Sequence, residues 1–356
     1  MLVKKQIREA NVLRAIACLS VAMVHISAIP LTTLLRDSIH MKLFILLNRS
    51  VKFTTPTFIF LSGLTLFYGY KDKRFSYCSF LKKRLSTTLI PYMIWTLIYY
   101  RYYIHEKYYV FSWEFLREKL LLADMTYHLY FILTILQFYL LFWVFLYIFK
   151  NFKPGLVLII LCMISLLAVK YVKFPYADRF FARYVFFFGL GCYAAIDIDA
   201  IREKLIRHRY FIGAAHAVST CYYAYQFYEY HVLQKSIDNF VMEITWSVFC
   251  FTAIMFYFVI AYYVGEKEDG FLYKSAKKIS KASFYIYLSH PLVIFLSEKM
   301  MTEAGLLSIT RRFILTTMIV YGSVVPLAII YNAGKRSFKQ YNRDRKAKKV
   351  TLQRGV

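Results

Sequence analysis

Acidic residues are scarce in this chain. Its 356 residues hold 20 Asp and Glu against 46 Lys and Arg, a formal charge of +26. Glycine (12) and proline (7) are also thin, which excludes collagen-like sequence and Gly/Pro-rich linkers. The six cysteines form no CxxC or Cys/His metal spacing. Cys18, Cys162, Cys192, Cys221 and Cys250 lie in apolar runs and Cys78 in a basic loop, so they read as small apolar fillers rather than a disulfide framework or a zinc site. There is no Walker-type phosphate loop, internal repeat or low-complexity tract. No connection is long enough for a separate soluble enzyme domain, and the positive charge is not gathered on a module that would bind nucleic acid.

What the chain has instead is hydrophobicity. Apolar residues make up 59% of it and aromatic residues 20%, against about 45–50% apolar in soluble domains. A bilayer-spanning helix needs about 20 mostly apolar residues. Ten candidate segments fall near 10–30, 51–70, 85–104, 128–149, 154–173, 181–198, 210–228, 243–264, 282–299 and 312–331. The expected fold is an all-α polytopic membrane bundle of about ten transmembrane helices. The first segment is not read as a cleaved signal peptide, because it carries Arg14 and His25 and no small-residue cleavage site follows. With the N-terminus inside, the inner segments hold 29 Lys and Arg and the outer segments 16. That bias predicts two cytoplasmic termini, a single membrane domain over 1–334 and a basic cytoplasmic tail over 335–356. The same charge suits anionic membrane lipid as a partner. The longest connections, near 31–50 and 105–127, are expected to form short interfacial helices.

Ionisable groups inside spans are costly, so each is a functional candidate. Arg14 and His25 are eleven residues apart, about three full turns and about 16 Å along one helix face. Arg14 is expected near the inner interface, where a guanidinium suits an anionic ligand, and His25 in the outer half, where an imidazole can serve as general base. The bland alternatives are snorkelling of Arg14 to headgroups and a helix-packing role for His25. Lys82, Lys83 and Arg84 run into a helix containing Pro91; they read either as phosphate ligands or as a positive-inside anchor. His290 precedes Pro291, which removes a backbone donor and loosens the helix. It reads as a second catalytic histidine or as a packing residue. The remaining histidines read as ordinary interfacial residues, His128 among them.

Four motifs in order, Arg14-x10-His25, Phe58-Ile-Phe-Leu-Ser62-Gly63, Arg84 seven residues before Pro91-Tyr92, and Tyr287-Leu-Ser-His290-Pro291, make the chain resemble the membrane acyltransferase 3 family. The resemblance is nearest the branch involved in biosynthesis of the poly-N-acetylglucosamine intercellular adhesin. It covers nearly the whole chain. It implies a bacterial plasma-membrane enzyme that moves an acetyl or succinyl group from cytoplasmic acyl-CoA to hydroxyls of an extracellular or lipid-linked polysaccharide. Acyl-CoA is then a donor substrate, with no permanently bound cofactor and no metal. His25 falls at the family's catalytic position and Arg14 and Arg84 at donor-side positions; beside them His290 is a second catalytic candidate, and Lys82, Lys83, Ser62 and Tyr287 are candidate substrate-binding residues. Polysaccharide synthase subunits are expected partners. Thr87 stands where the family often has a second arginine, and Tyr130 where tryptophan is common. A glycan exporter or a membrane subunit of a synthase complex is the alternative reading.

Overall fold

Hydrophobic sequence that must satisfy its own backbone forms helices. A computed structural model describes residues 7–36 and 38–354, and fourteen α-helices account for most of them. These are α1 (Arg8–Ile26), α2 (Ala28–Thr33), α3 (Ile39–Ser50), α4 (Thr54–Tyr70), α5 (Tyr77–His105), α6 (Trp113–Leu121), α7 (Tyr130–Asn151), α8 (Pro154–Tyr171), α9 (Val185–Ile196), α10 (Ile198–Arg207), α11 (Arg209–His231), α12 (Asn239–Glu266), α13 (Phe271–Glu303) and α14 (Ile309–Arg354). No strand occurs among the described residues. Local chemistry sets several starts. Ser38 Oγ accepts from Met41 N (3.1 Å) to cap α3, Ser112 Oγ accepts from Phe115 N (3.2 Å) to cap α6, and Asp238 Oδ1 accepts from Phe240 N (2.6 Å) to cap α12. Pro154 opens α8, where its missing N–H costs nothing.

Each of the ten predicted segments is helical, and the connections near 31–50 and 105–127 hold the short helices α3 and α6. Six helical stretches are long and apolar enough to cross a bilayer, or seven if α9 and α10, bent by 103°, count as one. The others are α4, only 17 residues long, α5, which carries Lys82, Lys83 and Arg84 in its second turn, and α11, which carries His216 and Glu229. Helix α14 continues through the basic tail; its 46 residues span about 69 Å, roughly twice a hydrocarbon core.

Pair directions follow an alternating path. Arg14 meets Ser280, Cys18 meets Ser283 and His25 meets His290, so α1 and α13 run parallel in constant register. Tyr99 meets Leu288 and Glu106 meets Lys299, so α5 runs parallel to both. Arg312 meets Glu298 while Lys335 meets Tyr285, so α14 is antiparallel to α13. These are the relations expected of the first, third, ninth and tenth crossings. At one end of α1 the buried Glu9 accepts from Arg202 Nε (2.5 Å), tying α1 to α10.

The tightest crossing joins α4 to α9. A Cβ on Gly63 would lie 2.1 Å from Phe188 O, and one on Gly191 would lie 2.1 Å from Phe60 O. Backbone cannot yield as a side-chain tip can, so small residues are needed here. Gly191→Ala should force the helices apart and destabilise the protein by about 1–3 kcal/mol. Thermal melting of purified protein in detergent checks this, and an unchanged midpoint would contradict it.

Candidate active site

Helix α1 ends at Ile26, and side chains bond the carbonyls of its last turn. Ser27 Oγ donates to Met23 O (2.6 Å), and Asn48 Nδ2 donates to Val24 O (2.8 Å) and Ser27 Oγ (2.9 Å). The His25 ring then lies 4.4 Å from the Tyr127 ring and 5.4 Å from the His290 ring. Helix α13 is opened at Pro291, and Tyr99 repairs it. The Tyr99 hydroxyl donates to Leu288 O (2.7 Å) and accepts from Leu292 N (3.2 Å), replacing a direct turn of helix. His290 is fully buried beside this break, and its Nδ1 donates to Ile286 O (3.1 Å). A carbonyl only accepts, so Nδ1 carries the hydrogen and Nε2, which has no partner, presents a lone pair.

A third imidazole completes the cluster. The ring of buried His128 lies 5.4 Å from His290. The Tyr287 hydroxyl donates to the His128 carbonyl, which holds the residue against α13. The reading of His128 as an ordinary interfacial residue is therefore corrected: it belongs to the site. Among the described residues no group of three or more His, Cys, Asp or Glu side chains has the geometry to hold a metal ion.

Two chambers of about 280 Å³ each, mixed in lining, lie along α1. The first is lined by Arg14, Ser62, Thr87, Thr88, Tyr139 and Ser283. Arg14 is half-buried there, within 3.5 Å of Ser280 Oγ, and forms no ion pair among the described residues. Arg84 stands over the Tyr139 ring at 5.8 Å, at the edge of this chamber. The exposed Lys82 and Lys83 do not line it. The second chamber holds His25 and His128 with Arg49, Lys52, Thr55 and Tyr130. Both chambers are lined by Phe58, Phe131 and Tyr287, so these three rings form the wall between them. Phe131 lies 5.9 Å from Phe58 and 5.8 Å from Tyr287, ring to ring.

Beyond Tyr127 a wider cavity of about 830 Å³ opens between the ends of α5 and α13, lined by Tyr102, Tyr103, Tyr108, Tyr109 and Phe295. Its polar edge is paired: Lys299 Nζ donates to Glu106 (2.7 Å), and Lys119 Nζ donates to Asp124 (2.8 Å). Burial opposes the Asp124 charge, but the hydrogen bonds from Lys119 and Arg179 hold its carboxyl below its ordinary value. A lateral cavity of about 700 Å³ between α8 and α12 is almost wholly apolar and shares no residue with the chambers.

The sequence-derived site residues thus divide. His25 and His290 touch, Arg14, Ser62 and Tyr287 line one chamber, Arg84 borders it, and Lys82 and Lys83 stand apart on the surface. Sequence reasoning placed the spare buried charge at the inner rim. The structure adds Arg49, 7% exposed, and Lys52 on the His25 side.

No solved structure matches the chain. Proteins from Staphylococcus aureus strains MSSA476 and MRSA252, each described as a probable poly-beta-1,6-N-acetyl-D-glucosamine export protein, are 26% identical over 308 residues, covering 82% of this chain and 83% of the relative. The acyltransferase 3 family, described as an acyltransferase domain, matches residues 7–331. A match over nearly the whole helical bundle leaves one assignment: the chain is a multi-pass membrane protein belonging to the acyltransferase 3 family.

Proposed function

We propose that this protein is an integral-membrane O-acyltransferase of a bacterial plasma membrane, carrying an acyl group from cytoplasmic acyl-CoA to a hydroxyl of a cell-surface or lipid-linked polysaccharide. The observation that carries this is the pair of chambers on one helix, Arg14 in the first and the histidines in the second, divided by three aromatic rings. An unpaired guanidinium suits the phosphates and carbonyl oxygens of the donor. A sugar hydroxyl is a weak nucleophile at neutral pH and needs a base. In the reaction the acyl end of the donor reaches past the three rings into the His25 chamber, and His25 accepts the proton as the hydroxyl oxygen attacks the thioester carbonyl. The new C–O bond forms, the C–S bond breaks, and the proton leaves with the CoA thiolate as thiol. His290, its Nδ1 committed to a carbonyl, packs its ring 5.4 Å from that of His25. The tyrosines of the wide cavity offer flat amphipathic faces to sugar rings.

The relatives' description as export proteins supports a second reading, a glycan exporter. The aromatic wall argues for transfer, since a polymer needs a continuous passage. Incubating purified protein with isotope-labelled acyl-CoA and a β-1,6-linked N-acetylglucosamine oligomer separates the two. Transfer predicts label in ester linkage on the oligomer; movement of the oligomer across proteoliposomes with no ester would establish export instead.

The wall should also keep water from the donor. Phe131→Ala should raise acyl-CoA hydrolysis in the absence of acceptor, by about tenfold, and lower the fraction of acyl groups reaching a sugar. Thiol release with and without acceptor measures both, and unchanged hydrolysis would remove this role from the wall.

A further inference from the structure

We infer that the lateral cavity between α8 and α12 holds one acyl chain of an inner-leaflet glycerophospholipid, whose anionic headgroup sits on Lys204 and His208 at the rim. The cavity measures about 700 Å³, and its walls come from α8 (Leu158, Cys162), α9 (Phe186, Leu190) and α12 (Phe251, Met255). Its lip is exposed, at Ile159 (60%) and Phe211 (76%), so it opens sideways on the flank of the bundle. In a bilayer that flank meets hydrocarbon. Water finds too few hydrogen-bonding partners in so apolar a space, and a void would forfeit the dispersion contacts of its lining. An apolar cavity of about 150 Å³ takes a benzene ring; this one has room for a lipid chain. From Phe186 to Ala194 the α9 wall rises about 12 Å, close to the ~15 Å of hydrocarbon in one leaflet.

The rim selects among lipids. Helix α10 turns by 103° from α9, so it runs across the bundle rather than along it. Arg202 ties it to Glu9 at the N-terminal end of α1, the end assigned to the cytoplasm. Ile201 and Leu205 of α10 line the cavity, and so do Lys204 and His208, whereas no Asp or Glu among the described residues lines it. The acidic groups of α10 are already used: Asp199 pairs with Arg202, and Glu203 with Arg207 (2.6 Å). Lys204 forms no ion pair among the described residues. Arg209, next to His208, donates to Ile206 O (3.1 Å) and Tyr210 Oη (3.3 Å) and to no carboxylate. An apolar slot that ends in an unpaired cation at the membrane surface matches a chain that ends in a phosphate. A choline headgroup would instead set its own cation beside Lys204. The bound chain also braces the site. Phe60 of α4 lines the cavity, while Phe58 and Ser62, two residues to either side and on the opposite face, line the Arg14 chamber.

Vesicles of phosphatidylglycerol and phosphatidylcholine in equal amounts, with identical chains, supply the test. Protein reconstituted in them is extracted in mild detergent, and its bound lipids are counted by native mass spectrometry. Wild-type protein should retain one phosphatidylglycerol, favoured over phosphatidylcholine about 5–30-fold, as one or two cations near the membrane surface would give. Lys204 is exposed, so Lys204→Gln should fold normally; it should keep a bound lipid and lower the preference about fivefold. Cys162→Trp fills the cavity and should release lipid of both kinds. Should that protein fail to accumulate, Ile159→Trp at the exposed lip makes the same test. Lipid that stays bound in the filled proteins is a general annulus and overturns the site. Equal retention of the two lipids, lost on filling, overturns the anionic headgroup, as does a preference untouched by Lys204→Gln. Displacement of phosphatidylglycerol by about a tenth as much of a long-chain isoprenyl phosphate would give the cavity to a sugar carrier and overturn the phospholipid.

Discussion

His25→Ala should lower acyl transfer by about 10²–10⁴-fold, the usual cost of losing a general base. The protein should still reach the membrane in normal amount, because the substitution makes its span more apolar. The loss should fall on turnover, since His25 stands across the aromatic wall from the chamber assigned to the donor. Initial rates with saturating acyl-CoA, set beside the melting temperature of the same preparation, separate chemistry from stability. A well-folded His25→Ala protein that acylates at the wild-type rate would remove His25 from the mechanism.

Arg14→Ala should act on the other substrate. Arg14 lies in the chamber with Ser62, Thr88 and Tyr139 and has no ion pair among the described residues. A charge-assisted hydrogen bond contributes about 1.5–3 kcal/mol, so its loss should weaken acyl-CoA binding about 10–150-fold. Arg14→Lys keeps the charge but loses the planar fork and should fall between. Snorkelling to headgroups predicts instead that lysine substitutes fully. Calorimetric titration of acyl-CoA into the three proteins decides between them; equal affinities would return Arg14 to the role of an interfacial anchor.

Periodicity made much of this architecture readable. The spacing from Arg14 to His25 placed both on one face of α1, and the structure seats them in adjoining chambers. The same arithmetic would have separated Arg84 from Lys82 and Lys83. Arg84, Thr87 and Thr88 stand at i, i+3 and i+4 on one face of α5; both threonines line the first chamber, whereas the lysines point to other faces and are exposed. Other site residues carried no local signal. His128 precedes the first turn of α7, so no helical pattern marks it, and it enters the cluster only through tertiary contact with α13. Arg49 and Lys52 count as outer-loop charges in any topology tally. They become interior because the short α3 folds back against α11 and stacks Arg49 on Phe227. The wall is three aromatic rings among 33 Tyr and 33 Phe, distinguishable only once α4, α7 and α13 are assembled. The glycines were half legible: Gly63 follows Ser62 in a recognisable motif, but its partner Gly191 lies far along the chain.

In the proposed reaction an acyl group crosses from a donor site on the cytoplasmic side to a base on the outer side of one helical bundle. Proteoliposomes of uniform orientation test it most directly. Labelled acyl-CoA is supplied only on the face that carries both termini, and oligosaccharide only on the opposite face. Labelled ester should form on the oligosaccharide, and should be absent with His25→Ala and absent when the two substrates exchange sides. Ester formed only when donor and acceptor share one face, or formed equally by His25→Ala protein, would contradict it.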